Sequence, residues 1–332
     1  MPVVCDTEGI CARLMGIVDS GQRIVDSEGR SRKRSRLHRL STIHYPLSTT
    51  TCLLLSPWLL TLLIFWAYPL LYALYLSFTK YYTLTNRTTW IGLGNYVKLA
   101  HDPVFWQALL NTVIFVIGTI PFTMIFALFF AALLGRVERL QHFYRSALFL
   151  PSVTSLVVIA LIFTNLYVSG GYINTLLRMV GMAAPARGWL LEPGRALPAI
   201  MVMDIWISIG YYAVLFLAAM QNVSKDYYEV AELEGLAKWR QFYTITLPLI
   251  KPTLLFALVL NTIKSFQVFT EIYVMTRGGP LNRTTTLVYQ VYSSAFESAD
   301  TMGYACAVAY VLFFIIAIFS VMENRVLRPQ VP

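Results

Sequence analysis

The chain has 332 residues, 57% of them hydrophobic and only 13% charged, with a net charge of +9. Soluble domains average about 25% charged residues, so there is too little charge to coat a water-facing surface of this size, and lipid is implied as the second solvent. The positive balance is then a matter of orientation rather than of nucleic-acid binding, because Lys and Arg collect on the cytoplasmic side of membrane proteins. Cys5, Cys11, Cys52 and Cys306 form no CxxC pair and the four His are scattered, which excludes a metal motif and a disulfide framework from the expectations.

Residues 1–50 are polar and basic and predict a disordered cytoplasmic tail, with Met15 an alternative start. The basic cluster Arg30–Arg39 is followed by a full-length apolar run, unlike a secretory signal. A membrane helix needs roughly 20 apolar residues. Six segments meet that: Thr51–Phe78, Phe105–Gly135, Ser146–Leu166, Leu197–Val223 with Asp204 inside it, Pro252–Thr276 with Lys264 and Glu271, and Thr301–Met322. The fold class expected is all-α, a polytopic bundle of six transmembrane helices. Residues 51–104 hold the first helix and an outer loop, 105–326 a transmembrane core, and 327–332 a cytoplasmic tail. With the N-terminus inside, 17 Lys and Arg fall in cytoplasmic segments and eight in outer loops. Without the tail the split is nine to eight, so the orientation, with both termini inside, rests on the tail.

The inner segment 224–251 has structure of its own. Asp226 followed by Glu229 three residues later reads as a capping box that opens a short helix. Gly235 can end it, since glycine enters the left-handed region freely. A second helix is predicted over Ala237–Thr246, stopping at Pro248. Val230, Leu233, Leu236, Trp239 and Phe242 are too many apolar residues for a free loop and call for a partner surface.

The string Tyr228-Glu229-Val230-Ala231-Glu232-Leu233-Glu234-Gly235-Leu236, followed by Phe242, Ile245 and Leu247-Pro248, resembles the Glu-Ala-Ala loop of bacterial ABC importer permeases. That loop is the family's coupling helix, seated in a groove of the ATPase subunit. The resemblance assigns this role to Glu229, Ala231, Gly235, Leu247 and Pro248. Val230 departs from the family's first alanine and Glu234 from its common aspartate. Trp90-Ile91-Gly92-Leu93-Gly94-Asn95-Tyr96, Asp102-Pro103, Asn111-Thr112, Tyr273–Thr276, Gly278-Gly279-Pro280 and Gly303-Tyr304 resemble maltose- and glycerol-3-phosphate-type permeases, over about Leu54 to Arg325. The ending lacks the second permease's Gly-Ala-Val-Lys-Gly-like string, so the chain is similar to the first permease of such a pair.

The resemblance implies the type I importer permease fold in a bacterial or archaeal inner membrane. It implies a second permease, two ATPase subunits that carry the ATP and Mg, an extracytoplasmic solute-binding protein and surrounding lipid as partners, with no nucleic acid. The solute it implies is a sugar, oligosaccharide, polyol or sugar phosphate. The chain has no GxxxxGK[ST] loop, so no cofactor and no catalytic residue is expected in it. An ion-coupled transporter would show two similar halves with interrupted helices, and a membrane enzyme paired carboxylates or a metal cluster. Neither pattern is legible. An ABC permease for a non-sugar solute stays open.

The fifth segment carries a polar face. At about 100° per residue, Asn261, Lys264, Gln267 and Glu271 share an arc of roughly 120°. An ionisable group at the bilayer centre costs about 2.5–3.5 kcal/mol on insertion scales, so this face is expected to line a hydrated solute path together with Asp204. Pairing of Lys264 with the second permease is the alternative. Trp206, Phe266 and Tyr273 are candidate platforms for a sugar ring.

Overall fold

A computed structural model describes residues 49–82, 85, 87–137 and 139–327. The basic tail with its Arg30–Arg39 cluster and residues 328–332 lie outside the described residues. The chain divides into two units at Leu59 and Leu60; of the first, residues 49–59, the opening of a helix, are described.

Uncharged apolar runs become helices because backbone polar groups in lipid must be satisfied within the segment. The first run forms α1 (Thr49–Thr61), a π turn (Leu62–Ala67) and α2 (Tyr68–Ser77). A hairpin of β1 (Thr79–Tyr82) and β2 (Arg87–Trp90) follows, pairing Thr79 with Trp90, which adds two strands to a chain expected to have none. Next come α3 (Gly94–His101), α4 (Pro103–Leu134), α5 (Gln141–Val153), α6 (Leu156–Leu166), α7 (Tyr172–Met179) and α8 (Ala196–Gln221). The 224–251 segment holds α9 (Lys225–Leu233), α10 (Lys238–Gln241) and α11 (Leu247–Leu249). The chain finishes with α12 (Lys251–Phe266), α13 (Thr270–Met275), α14 (Leu287–Tyr292) and α15 (Met302–Leu327).

Five helical stretches are long and apolar enough to cross a membrane: Leu53–Ser77, Pro103–Leu134, Ala196–Gln221, Lys251–Met275 and Met302–Arg325. The third expected span is not straight. α5 and α6 meet at 92°, and counted as one broken span they bring the number to six. Pro151 starts the break by removing a backbone donor, and Thr154 is extended. Across the bend α5 is pinned to α8: Ser152 Oγ donates to the Ile207 carbonyl at 2.9 Å. A Cβ on Gly210 would lie 2.0 Å from the Leu148 carbonyl oxygen, so glycine is what lets these backbones touch.

The fifth span is also interrupted, at residues 267–269, where a continuous helix was expected. The chain after α13 turns back and reaches this break. Thr286 Oγ1 donates to the Val268 carbonyl at 3.0 Å, satisfying a group that a helix would have paired. Asn111 Nδ2 donates to the carbonyls of Asn282 and Thr285, and the Leu287 amide donates to Thr112 Oγ1. The loop 277–286 is thereby stitched to α4. Asp102 caps α4 through the Val104 amide, and its second oxygen accepts from Tyr304 Oη and Gln290 Nε2, joining the starts of α4 and α15 to α14.

Gly303 packs α15 on the end of the first span. A Cβ there would lie 2.1 Å from the Thr79 carbonyl oxygen and 2.9 Å from that of Leu76. Asn95 Nδ2 holds the Thr79 carbonyl in place at 2.9 Å, so the backbone has little room to yield. Gly303→Val is expected to cost about 1–3 kcal/mol from overpacking, read as a lowered unfolding midpoint of the detergent-solubilised protein. An unchanged midpoint would contradict this contact.

Candidate functional site

Two regions gather the residues singled out in the sequence. The first is the 224–251 loop. Its first helix starts two residues earlier than the capping-box reading places it: Ser224 is the N-cap and accepts from the Asp226 amide at 3.3 Å, while Asp226 sits inside the first turn. Serine there does the capping, and Asp226 contributes its negative charge to the positive end of the helix dipole. At the other end Gly235 has φ +73°. The Leu236 amide donates to the Ala231 carbonyl and the Gly235 amide to that of Glu232, the two bonds of a Schellman turn.

The second helix of the loop runs past its expected stop. A π turn over Phe242–Thr246 precedes α11, which contains Pro248. The wider turn absorbs the carbonyl that the proline ring would strike. Tyr228 Oη and Thr246 Oγ1, 2.8 Å apart, clamp the two arms together, and Gln241 Nε2 donates to the Leu236 carbonyl. Ala231 faces inward, buried at 4% exposure, so its small side chain lets its own chain approach. Leu247 is half-buried, and Glu229, Gly235 and Pro248 are exposed. Val230, Leu233, Trp239 and Tyr243 present apolar surface to the outside, Leu233 at 90% exposure.

The second region is a cavity of about 300 Å³ at the break in the fifth span. Asp204, Lys264, Gln267 and Glu271 line it, with Phe115 and Phe269 among the apolar walls. Lys264 Nζ donates to Asp204 Oδ1 at 2.8 Å and to Ser208 Oγ at 2.6 Å. The ammonium therefore has its counter-charge within the chain, on α8. Asp204 and Glu271 are 2% and 3% exposed, whereas the Lys264 side chain keeps 42% of its surface open. The cavity thus offers a cationic donor, an amide and two carboxyl groups beside aromatic walls.

Asn261 is not among the lining residues. It is 1% exposed, and neither polar atom of its side chain has a hydrogen-bond partner among the described residues. The arc drawn on the helix put it beside Lys264, but its side chain is buried in the interior while Lys264, Gln267 and Glu271 line the cavity. Phe266 is fully buried against Phe319, at 5.2 Å between centroids, and is core rather than platform. Trp206 packs on Phe163, and Tyr273 on Phe269 and Tyr292. Ser208 and Phe269 were not singled out in the sequence. Ser208 was within reach, because it lies one turn from Asp204 on the same helix face; Phe269 needed the break. Among the described residues no group of three or more His, Cys, Asp or Glu is placed to hold a metal ion.

Comparison with known proteins bears on both regions. The lactose transport system permease protein LacF of Rhizobium radiobacter is 35% identical over 281 residues, covering 84% of this chain and 94% of that protein. The probable ABC transporter permease protein YurN of Bacillus subtilis is 36% identical over 269 residues, covering 80% and 92%. Among solved structures, a chain of a bacterial ABC transporter involved in the import of the acidic polysaccharide alginate superposes with a TM-score of 0.74 at 22% identity, over 84% of this chain and 95% of that one, a likeness of fold. Residues 34–324 match the model of the binding-protein-dependent transport system inner membrane component. That match takes in both the clamped loop and the cavity, and this chain belongs to that family of membrane permeases.

Proposed function

We propose that this chain is the permease subunit of an ATP-driven importer and forms, with a second permease, the membrane path for a carbohydrate delivered by an extracytoplasmic solute-binding protein. The observation that carries the reading is the 224–251 loop. It is a Schellman-capped, hydroxyl-clamped pair of helices that offers Val230, Leu233, Trp239 and Tyr243 outward. Such a surface fits a groove on another subunit, here an ATPase. Two ATPase subunits would hydrolyse ATP with Mg, and the rigid loop would carry their movement into the spans. The carbohydrate class is supported by relatives described as permeases for lactose, for arabinooligosaccharides and for sulfoquinovosyl glycerol. The cavity's hydrogen-bonding groups beside aromatic walls suit sugar hydroxyls and the apolar faces of sugar rings.

In this reading there are six spans, the bent pair included, with both termini and the 224–251 loop in the cytoplasm and the β-hairpin outside. Single cysteines at Thr88 and Ala237, in a background lacking the native four, are expected to label from opposite sides of the membrane. Labelling from one side would discard the topology.

Gly235→Val places a branched side chain in the left-handed region, at a cost on the order of 1 kcal/mol, with open space around the new Cβ. The protein is expected to insert normally and to lose ATPase association or solute-stimulated ATP hydrolysis. Full transport by this variant would refute the coupling role.

Lys264→Met orphans the buried Asp204 carboxylate, at a cost below the about 3–5 kcal/mol of a fully buried pair because the lysine is half-open. Adding Asp204→Asn removes that charge. The double variant is expected to regain folded yield while solute uptake stays at least tenfold down. Wild-type uptake by the double variant would take the pair out of the path.

A further inference from the structure

The cavity at Lys264 has an aromatic wall that continues out of it. Phe269 lines the cavity. Its ring centroid is 5.5 Å from that of Tyr273 and 5.1 Å from that of Tyr292; Tyr273 and Tyr292 are 5.2 Å apart. Tyr292 in turn is 5.4 Å from Phe296. Phe269, Tyr273 and Tyr292 are in mutual contact, and Phe296 extends this cluster through Tyr292 into a short column of rings.

Its direction follows from the side-chain hydrogen bonds of the segment that carries Tyr292 and Phe296. Thr286 is held at the level of the span break by its bond to the Val268 carbonyl. From there α14 climbs away. Gln290 reaches Asp102 and Tyr304, at the starts of α4 and α15. The π turn Ser293–Glu297 carries the chain further, and the Thr301 hydroxyl closes on the Ser294 carbonyl. Phe296, one turn beyond Tyr292, stands 72% exposed beside Glu297, which is also exposed. On the topology proposed above, the column runs from the outer surface to the middle of the membrane.

A belt of aromatic residues at the interface would account for Phe296 alone. It does not account for a ring-to-ring connection into a cavity that holds a lysine and two carboxyl groups. We infer that Phe296, Tyr292, Tyr273 and Phe269 form a stacking lane for a saccharide of more than one ring, leading it from the outer face to the cavity at Lys264. This rests on the carbohydrate reading. A pyranose ring has a face of C–H bonds, which packs on the electron-rich face of an aromatic ring, while the hydroxyls at its edge stay hydrated. Each contact is weak and interchangeable with the next. Passage needs such sites, favourable enough to enter and weak and numerous enough to leave. The tyrosine hydroxyls add polar groups along the way.

The test uses the whole transporter in membrane vesicles, with a panel of labelled mono-, di- and trisaccharides and labelled histidine as the non-carbohydrate control. Phe296→Leu keeps an apolar side chain of similar size and removes the ring; Phe296→Tyr keeps the ring. The leucine variant is expected to lower the uptake rate about tenfold for a trisaccharide and less for a monosaccharide. The tyrosine variant should remain near wild type, with both variants co-purifying with the second permease and the ATPases. Uptake by the leucine variant equal to wild type overturns the lane, as do equal losses in both variants or loss of the second permease, which would make Phe296 a subunit contact. Histidine uptake without saccharide uptake by the unaltered transporter sinks the carbohydrate reading and the lane with it.

Discussion

A lysine in the interior of an apolar helix must find its counter-charge inside the protein, and the bond from Lys264 to Asp204 meets that demand. Removing two ions from water is repaid only with good geometry and further hydrogen bonds. The second bond, to Ser208, supplies one of them. The pair ties α12 to α8 and holds a charged group at the edge of the cavity. The Lys264 side chain stays open while the two carboxyl groups beside it are buried.

The cavity exists because the fifth span breaks, and the break is tolerable because other parts of the chain satisfy it. Non-helical backbone at membrane depth survives only where protein or a water-filled space surrounds it. Here Thr286 takes the Val268 carbonyl, and Asn111 and Thr112 on α4 hold the returning loop. Gln107 completes Asn111 by donating to its side-chain oxygen. A chain of side-chain-to-backbone bonds thus replaces the helical bonds the break gives up. The same logic operates at the bend between α5 and α6, where Ser152 and the bare backbone of Gly210 hold the turned helix against α8.

The 224–251 loop and the cavity are linked by continuous helix. α8 passes from Asp204 and Ser208 to Gln221, three residues before the cap of α9, and α12 begins at Lys251, directly after the loop, and reaches Lys264. The two helices that leave the loop are therefore the two that the lysine pair joins.

The sequence by itself determined the solvent, because a chain with so few charges has no way to face water throughout. It determined five of the spans nearly to their ends, and the loop with its glycine turn, because these depend on local composition and on the one residue type that enters the left-handed region without strain. It also singled out Asp204, Lys264, Gln267 and Glu271, since polar groups in apolar runs stand out. Only the tertiary structure decided that the third and fifth spans break, because apolar composition supports a straight helix and a broken one equally well and the choice lies with distant partners such as Thr286 and Gly210. For the same reason it alone decided which polar residues meet. Asn261 shares a helix face with Lys264 yet lies sealed among the helices, while Phe269 in the break and Glu271 beyond it stand at the cavity with residues of another span.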